Sequence, residues 1–269
     1  MVELILIAAA IPAGCALLLW AWGRREQPFV IGAGEAWFVA LKRAQTTQAF
    51  SGLQVRWSSR ADLAFVGADD AYWTDFAIVR GDQALVRQRV DEASAEDAFI
   101  ARVRLAAPPA LAFGVLKALV ATGVLSRPDG SITADLSGLG HDPKYLPSPA
   151  AIARLRAQPA HYAPAMVNFL AYKRPDGARA YMRYGRVALR TVYRTGGRLL
   201  FFGRVREIVL AAKAGPCVGA WDELAAMQYN RPEGILSMEH APDYRAALGY
   251  RDEGLDRTVV IASTPGERV

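Results

Sequence analysis

Residues 164–172 read Pro-Ala-Met-Val-Asn-Phe-Leu-Ala-Tyr, and this stretch decides the fold. It is a short apolar run interrupted by Asn168, and its length predicts a β-strand covered on both faces. Asp176 and Gly177 follow, and the sequence then predicts a helix over residues 178–195. A strand that leads directly into a helix is the first part of a β-α-β unit.

The elements after this helix complete a recognisable order. The patterns predict strands at 199–205, 207–212 and 219–229, a second helix at about 233–247, and a last strand at 257–263. Apart from one additional strand between the helices, this is the order β-α-β-β-α-β of the ferredoxin-like arrangement, an antiparallel sheet with both helices on one face. The other face of such a sheet is apolar, so it needs cover from a second copy or from the N-terminal part of the chain. We therefore predict a ferredoxin-like domain over residues 148–264.

The preceding residues predict a separate module. Residues 130–147 are rich in Gly, Pro, Ser and Asp, which is typical of a linker, and residues 28–129 predict an α+β module. The run 84–90 is β-type, and residues 35–50 predict a helix because apolar side chains follow one side of it: Trp37, Phe38, Leu41 and Ala44. The module belongs to no family that we assign, and a degenerate second barrel half is one interpretation of it.

The N-terminus predicts a membrane anchor. Residues 4–23 carry no charge, and a helix of this length spans about 30 Å, the thickness of a bilayer core. A cleaved signal peptide lacks its basic region here, a lipoprotein site at Cys15 lacks its usual neighbours, and a buried core helix is the remaining alternative. Arg24 and Arg25 follow the run, so we expect residues 1–26 to anchor the chain as a single pass in a bacterial-type inner membrane, with the folded part on the cytoplasmic side.

Several short motifs in the C-terminal half carry a family resemblance. In order, they are Met166-Val-Asn-Phe-Leu170, Tyr181-x-x-Tyr184-Gly185, Gly196-Gly197-Arg198, Trp221-Asp222, Met238-x-x-x-Pro242-x-Tyr244-x-x-Ala247 and Arg251-x-x-Gly254-Leu255. Through them, residues 146–264 resemble the domain-of-unknown-function family 1330 of the dimeric α/β-barrel superfamily. The resemblance implies a ferredoxin-like fold that pairs sheet to sheet into a barrel, with a small-ligand pocket between sheet and helices. It implies no established reaction.

Candidate ligand-binding residues lie around Asn168, the amide that interrupts the apolar first predicted strand. Asn168 either bonds to neighbouring backbone or points into a cavity, since a buried amide needs partners. The same space could be lined by Tyr184, Trp221, Tyr229 and Arg251, although aromatic side chains at such positions also pack in cores. The chain has three histidines, and a proton-transfer role suits His240 best among them, with a structural role as the alternative.

Positive charge is concentrated in one helix. The formal net charge is +6, and arginines recur at steps of four, three, four and four along one face of the predicted helix: Arg179, Arg183, Arg186, Arg190 and Arg194. This basic face could contact anionic lipid, an acidic protein partner or water. Nucleic acid is not expected, because no basic loop interleaved with aromatic residues accompanies the face.

Standard catalytic signatures are missing from the sequence. Two cysteines, Cys15 and Cys217, form neither a disulfide framework nor a zinc site. Gly32-Ala-Gly34 lacks the third glycine of a dinucleotide fingerprint, and neither a phosphate-binding loop nor a nucleophile elbow occurs. The sequence therefore predicts no metal and no cofactor.

Three functions remain open on these observations. The first is a membrane-anchored accessory protein whose ferredoxin-like module binds a protein partner or a second copy, as a subunit of a membrane complex. The second is a cofactor-independent monooxygenase- or isomerase-like enzyme for a small apolar metabolite, with His240 as the base. The third is a dimer that binds a small ligand without changing it.

Overall fold

A computed structural model describes residues 2–42, 52–92, 98–128 and 141–266. The strands are β1 (Gly34–Leu41), β2 (Gln54–Val66), β3 (Asp75–Arg80), β4 (Ala98–Leu105), β5 (Ala165–Tyr172), β6 (Arg198–Leu210), β7 (Glu223–Gln228) and β8 (Leu255–Pro265). The helices are α1 (Val2–Gly23), α2 (Gln27–Ile31), α3 (Gln83–Glu92), α4 (Ala110–Ala121), α5 (Pro149–Arg156), α6 (Gly177–Arg194) and α7 (Pro242–Gly254). Short 3₁₀ helices cover Pro143–Tyr145, Pro232–Gly234 and Leu236–His240.

The eight strands close into one antiparallel barrel in the order β1-β3-β2-β8-β5-β7-β6-β4. The two 13-residue strands join the halves: β2 pairs with β3 and β8, and β6 pairs with β7 and β4. The predicted fold, a ferredoxin-like C-terminal module preceded by a separate α+β module and a transmembrane helix, is therefore wrong. The physical reason is that strands from both halves hydrogen-bond to one another and leave neither sheet with a free edge.

Aromatic side chains fill the barrel. Phe38 of β1 and Phe169 of β5 meet edge to face with ring centroids 5.4 Å apart, and both are fully buried. Rings from the neighbouring strands and loops surround this pair: Phe76, Phe99, Phe201 and Trp221. The apolar sheet face that was predicted to need cover is thus buried within the same chain, in an interior formed by both halves.

For two predicted elements the type of secondary structure is wrong: a predicted helix begins as a strand, and a predicted strand is helical. The predicted helix 35–50 begins as strand β1, and its part beyond residue 42 lies outside the described residues. The β-type run 84–90 lies within helix α3, where the Asp82 carboxylate accepts a hydrogen bond from the Ala84 backbone N–H at 2.6 Å. Most of the predicted linker 130–147 also lies outside the described residues.

The predicted turn between two strands after α6 is not a turn. Strand β6 runs without a break through the basic Arg204-Val-Arg206 segment, whose arginines are exposed. Its first part pairs with β7 and its second part with β4. The strand is long because it is shared between the two halves of the barrel.

The helix at the N-terminus packs against α4. A methyl group on Gly114 would overlap the backbone carbonyl of Leu19, and one on Gly23 would overlap that of Ala110, so the two helices touch at their backbones. In the part of the chain that the structure describes, no helix meets the length and hydrophobicity that crossing a membrane requires. The predictions of a transmembrane anchor in residues 1–26 and of a single-pass inner-membrane location are therefore wrong, and lipid contact through residues 4–23 is unsupported.

A buried carboxylate ties this region to the C-terminal half. Glu26 receives a hydrogen bond from the Tyr193 hydroxyl at 2.6 Å and forms an ion pair with Lys117 at 2.6 Å. Burial strengthens such a pair but requires that every partner stay in place. Glu26 thereby joins the end of α1 to α4 and to the last turn of α6.

Helices α6 and α7 pack against each other and cover the outer face of the C-terminal strands. The apolar side chains of α6, including Ala188 and Val192, pack toward the strands. This helix-on-sheet layer holds the candidate site.

Candidate ligand pocket between the helices and the barrel

A cavity of about 360 Å³ lies between the outer face of the barrel and helices α6 and α7. Its size is within the range of small-molecule sites, and its lining is mainly apolar with a few polar side chains, as such sites usually are. Strands β5, β7 and β8 supply the floor, and α6, α7 and the segment Leu236–His240 supply the walls.

The alternation of β5 explains why its amide faces the cavity. Val167 and Phe169 point into the barrel, so Met166, Asn168 and Leu170 point outward, toward the helices. The Asn168 Nδ2 donates to the Met166 carbonyl at 2.7 Å. Its Oδ1 has no hydrogen-bond partner among the described residues and lines the cavity, where a ligand donor could reach it.

A group of tyrosines forms the wall opposite the floor. Tyr181 and Tyr184 lie three residues apart on α6, so both face the sheet, and their ring centroids are 5.3 Å apart. The Tyr184 and Tyr244 hydroxyls are 3.0 Å apart. Burial raises the pKa of all three hydroxyl groups above the ordinary value, which keeps them protonated and able to donate hydrogen bonds.

Two further predicted residues line the same cavity. Tyr229 is buried and its hydroxyl donates to the Met238 sulfur at 3.2 Å. Arg251 is 7% exposed and donates from Nε and Nη2 to one oxygen of Asp252, at 3.0 and 2.9 Å. The positive charge of Arg251 therefore has a partner before any ligand binds.

Glu239 is the titratable side chain of this cavity that sequence reasoning missed. Its Oε2 is buried without a hydrogen-bond partner among the described residues, and the side chain lines the cavity. Burial raises the pKa of this carboxyl from 4.5 to about 7, while the positive charges of Arg251 and Arg245 act in the opposite direction. A carboxyl group with a pKa near neutrality can both accept and return a proton. One sequence signal was available: Glu239 directly follows the mainly apolar residues 235–238.

His240 and Trp221 are placed apart from this cavity. Within the described part of the chain the His240 Nε2 is buried without a hydrogen-bond partner, yet His240 does not line the cavity. Trp221 lies in the barrel interior, where its Nε1 donates to the Cys217 carbonyl at 2.8 Å and its ring meets Phe169 at 5.5 Å. Four of the five residues predicted for the pocket thus share one cavity, and the fifth is across the sheet.

The basic face of α6 is largely occupied by contacts within the chain. Arg190 and Arg194 both pair with Asp243, the second at 3.0 Å, which joins α6 to the first turn of α7. Burial raises the pKa of Asp243, but hydrogen bonds and positive charge from the two arginines outweigh it and lower the pKa below its ordinary value.

The other arginines of the face also differ in their surroundings. Arg179 pairs with Asp176 at 3.6 Å, with both side chains exposed, and Arg183 lies over the Tyr250 ring at 5.6 Å. Arg186 is exposed and lines the cavity. Five arginines at helical spacing therefore have at least three different environments.

The described side chains offer no evident metal ligands. No group of three or more His, Cys, Asp or Glu side chains lies close enough to hold an ion in the described ranges 2–42, 52–92, 98–128 and 141–266. Cys217 is buried, and burial raises the pKa of its thiol.

Comparison with known proteins gives distant structural likenesses. No family model matches the chain, and no curated protein matches it. A protein of unknown function from Rhodopseudomonas palustris is 25% identical over 45% of this chain and 96% of that one, with a TM-score of 0.39; its methylated form gives the same identity and TM-score over 93% of its length. A structure from Lactobacillus acidophilus NCFM, described as a proposed monooxygenase, is 7% identical over 86% of this chain and 94% of that one, with a TM-score of 0.41. Because these TM-scores are below 0.5, the likenesses decide neither the fold nor the activity of this chain.

Proposed function

We propose that this chain is an acid–base enzyme of the isomerase type that takes a small, largely apolar carbonyl compound into the cavity. The observation that carries the proposal is the Glu239 Oε2 atom, which is buried without a hydrogen-bond partner among the described residues, on a side chain that lines a mainly apolar cavity. Buried polar groups are nearly always hydrogen-bonded, so an orphan carboxyl oxygen in a cavity is typical of a functional site. The resemblance of residues 146–264 to family 1330 agrees with a pocket at this position and forms part of the proposal.

The reaction needs only groups that line the cavity. The Glu239 carboxylate takes a proton from a carbon next to the carbonyl, and the electron pair of the broken C–H bond moves to form an enolate. A tyrosine hydroxyl, from Tyr184 or Tyr244, donates a hydrogen bond to the enolate oxygen. Glu239 then returns the proton to a carbon of the same molecule, so atoms and electrons balance with no added oxidant or reductant.

The electrostatics of the cavity suit these roles. A pKa of about 7 leaves a large fraction of Glu239 ionised near neutral pH, while its basicity stays high enough to accept a proton. The charge of Glu239 is among the causes that raise the pKa of Tyr184 and Tyr244, so the carboxyl and the two hydroxyls act on one another. The charge of the base and the pKa values of the hydrogen-bond donors are therefore coupled.

Solvent deuterium exchange tests the proposal. We expect the protein in deuterated water to exchange the protons next to the carbonyl of β-tetralone, a small bicyclic ketone, faster than buffer does, as followed by proton NMR. The change Glu239→Gln keeps the shape of the side chain and removes the base, so the enzyme-catalysed rate should fall by a factor of about 10² to 10⁴. Glu253→Gln is the matched control, because Glu253 is an exposed carboxylate of α7 outside the cavity lining.

Calorimetric titration of β-tetralone accompanies the exchange measurement. Binding with no exchange above the Glu239→Gln background would contradict an enzymatic role and favour a ligand-binding protein. Equal exchange by wild type and Glu239→Gln would show that another group is the base. No binding at millimolar ketone would contradict the assignment of the cavity to an apolar carbonyl compound.

A further inference from the structure

Arg186 differs from the other arginines on its helix face. It is the member of that face that lines the cavity, and its side chain is exposed. Within the described residues its guanidinium has no ion-pair or hydrogen-bond partner, whereas each of the other four pairs with a carboxylate or stacks on a ring. An unpaired cation at the edge of a cavity is free to bind a ligand.

The charges in the cavity lining do not cancel. The charged residues are Arg186, Glu239 and Arg251. Arg251 is neutralised by Asp252, and Glu239 is protonated in part near neutral pH. The ionised fraction of Glu239 therefore offsets the positive charge of Arg186 only in part, and the lining as a whole favours an anion.

Arg186 and Glu239 both line the cavity, but Arg186 is not among the charges that shift the pKa of Glu239. The positive charges that act on Glu239 come from Arg251 and Arg245. On α6 itself, the lining residues one turn before and nearly one turn after Arg186 are the apolar Met182 and Leu189. A ligand that reaches from Arg186 to Glu239 thus passes over an apolar surface.

We propose that the ligand is a small carboxylic acid whose apolar body carries the reacting carbonyl; its carboxylate binds the Arg186 guanidinium at the cavity mouth while the body lies among the tyrosines. This inference rests on the proposed function, because it names the substrate class of the same site. Arginine suits the role since its planar fork can donate two parallel hydrogen bonds to a carboxylate. The body then extends toward Glu239, so the acid and the reacting carbon are at opposite ends of the molecule.

Two naphthyl compounds of nearly equal shape test the inference. The probes are 2-naphthylacetate and the neutral 2-naphthylacetamide, titrated into the full chain by calorimetry at moderate ionic strength. We expect the carboxylate to bind about tenfold more tightly than the amide, as expected for a hydrogen bond to a charged group. Arg186→Gln should remove this preference and leave the affinity for the amide unchanged.

Arg183→Gln is the matched control. Arg183 lies on the same helix face one turn earlier, but it stacks on Tyr250 and is absent from the cavity lining. We expect it to retain the preference for the carboxylate. Equal loss of preference in both variants would show that the basic face acts as a diffuse field and would overturn the assignment of Arg186.

Other outcomes also decide the matter. Equal binding of acid and amide by wild type, or failure of both to bind at millimolar concentration, would overturn the inference. A uniform loss of both affinities in Arg186→Gln would show a packing role for the side chain.

The inference and the proposed function can fail separately. Exchange of β-tetralone that depends on Glu239, combined with no preference for the carboxylate probe, would leave the enzyme assignment standing and overturn the anion site. A carboxylate preference that depends on Arg186, without any exchange, would leave the anion site standing and overturn the enzyme assignment.

Discussion

Strands β1 and β5 hold corresponding places in the two halves of the barrel, and each has eight residues. The fifth residue of each is a phenylalanine that points into the barrel, Phe38 in β1 and Phe169 in β5. The fourth residue of each points outward, and here the strands differ. Trp37 is packed on its outer face and only 5% exposed, whereas Asn168 lines the cavity.

This difference separates two kinds of constraint. Inward positions must complete a shared interior, so both halves place a ring of the same size there. Outward positions instead pack against the helix layer of their own half. In the N-terminal half the Trp37 side chain fills the space, and in the C-terminal half a short amide leaves it open.

Truncation of the two outward side chains should have unequal costs. Trp37→Ala removes a large buried side chain and leaves a void, so we expect the free energy of unfolding to fall by about 3 to 5 kcal/mol. Asn168→Ala removes one hydrogen bond beside an existing cavity, and we expect a loss of about 1 kcal/mol. Urea denaturation followed by tryptophan fluorescence and by circular dichroism measures both. Losses of equal size would show that the two outward faces are packed alike.

The buried carboxyl of the C-terminal half should make stability depend on pH. The pKa of Glu239 is about 7 in the folded chain against an ordinary value of 4.5, so the folded chain binds this proton more tightly than the unfolded chain does. Between these two values the folded state holds more protons, and its free energy of unfolding therefore falls as pH rises, by up to about 2 to 3 kcal/mol. Below the unfolded pKa both states are protonated and this cost is absent.

Glu239→Gln removes that contribution. At about pH 8 we expect the variant to be more stable than wild type by about 2 kcal/mol, and at about pH 4 the two should differ little. Denaturation curves at several pH values provide the measurement, with Glu253→Gln as the exposed control. A constant difference between wild type and Glu239→Gln at all pH values would mean that the carboxyl does not titrate in this window.

Reading the sequence predicted the C-terminal elements better than the N-terminal ones, and the reason is physical. Strand β1 and strand β5 are both apolar runs, because both are covered on two faces and lack the alternation of a half-exposed strand. The run around Asn168 was recognised because turn residues follow it. The run around Phe38 is followed by no Gly or Pro before Gly52, and the spacing of its apolar residues with Ala44 fits a helix equally well.

Closure of the barrel depends on pairing between strands that are far apart in sequence, which no local sequence pattern reveals. The pairing of β2 with β8 joins residues about 200 positions apart, including Ser59 with Pro265. The lining of the pocket was partly predictable, because Asn168 and Tyr184 fall on faces that strand and helix periodicity define. Glu239 was missed because a 3₁₀ segment has no comparable periodicity, and Trp221 was misplaced because it precedes β7 in an irregular segment.

Two glycines, one in the cavity lining and one outside it, allow the prediction with the smallest expected effect on stability. Gly185 on α6 lines the cavity, and Gly249 on α7 is exposed; an added methyl group would meet no atom within 4 Å at either position. Alanine at either site should therefore stabilise the chain by up to about 1 kcal/mol through helix propensity alone. Leucine distinguishes them, because at Gly185 it occupies the cavity as Trp37 occupies the equivalent space in the other half. We expect Gly185→Leu to abolish the calorimetric signal of 2-naphthylacetate and Gly249→Leu to leave it unchanged. If Gly185→Leu retained full affinity while remaining folded, the ligand would have to bind elsewhere, and the open space beneath α6 would be a packing defect of this half and not its functional site.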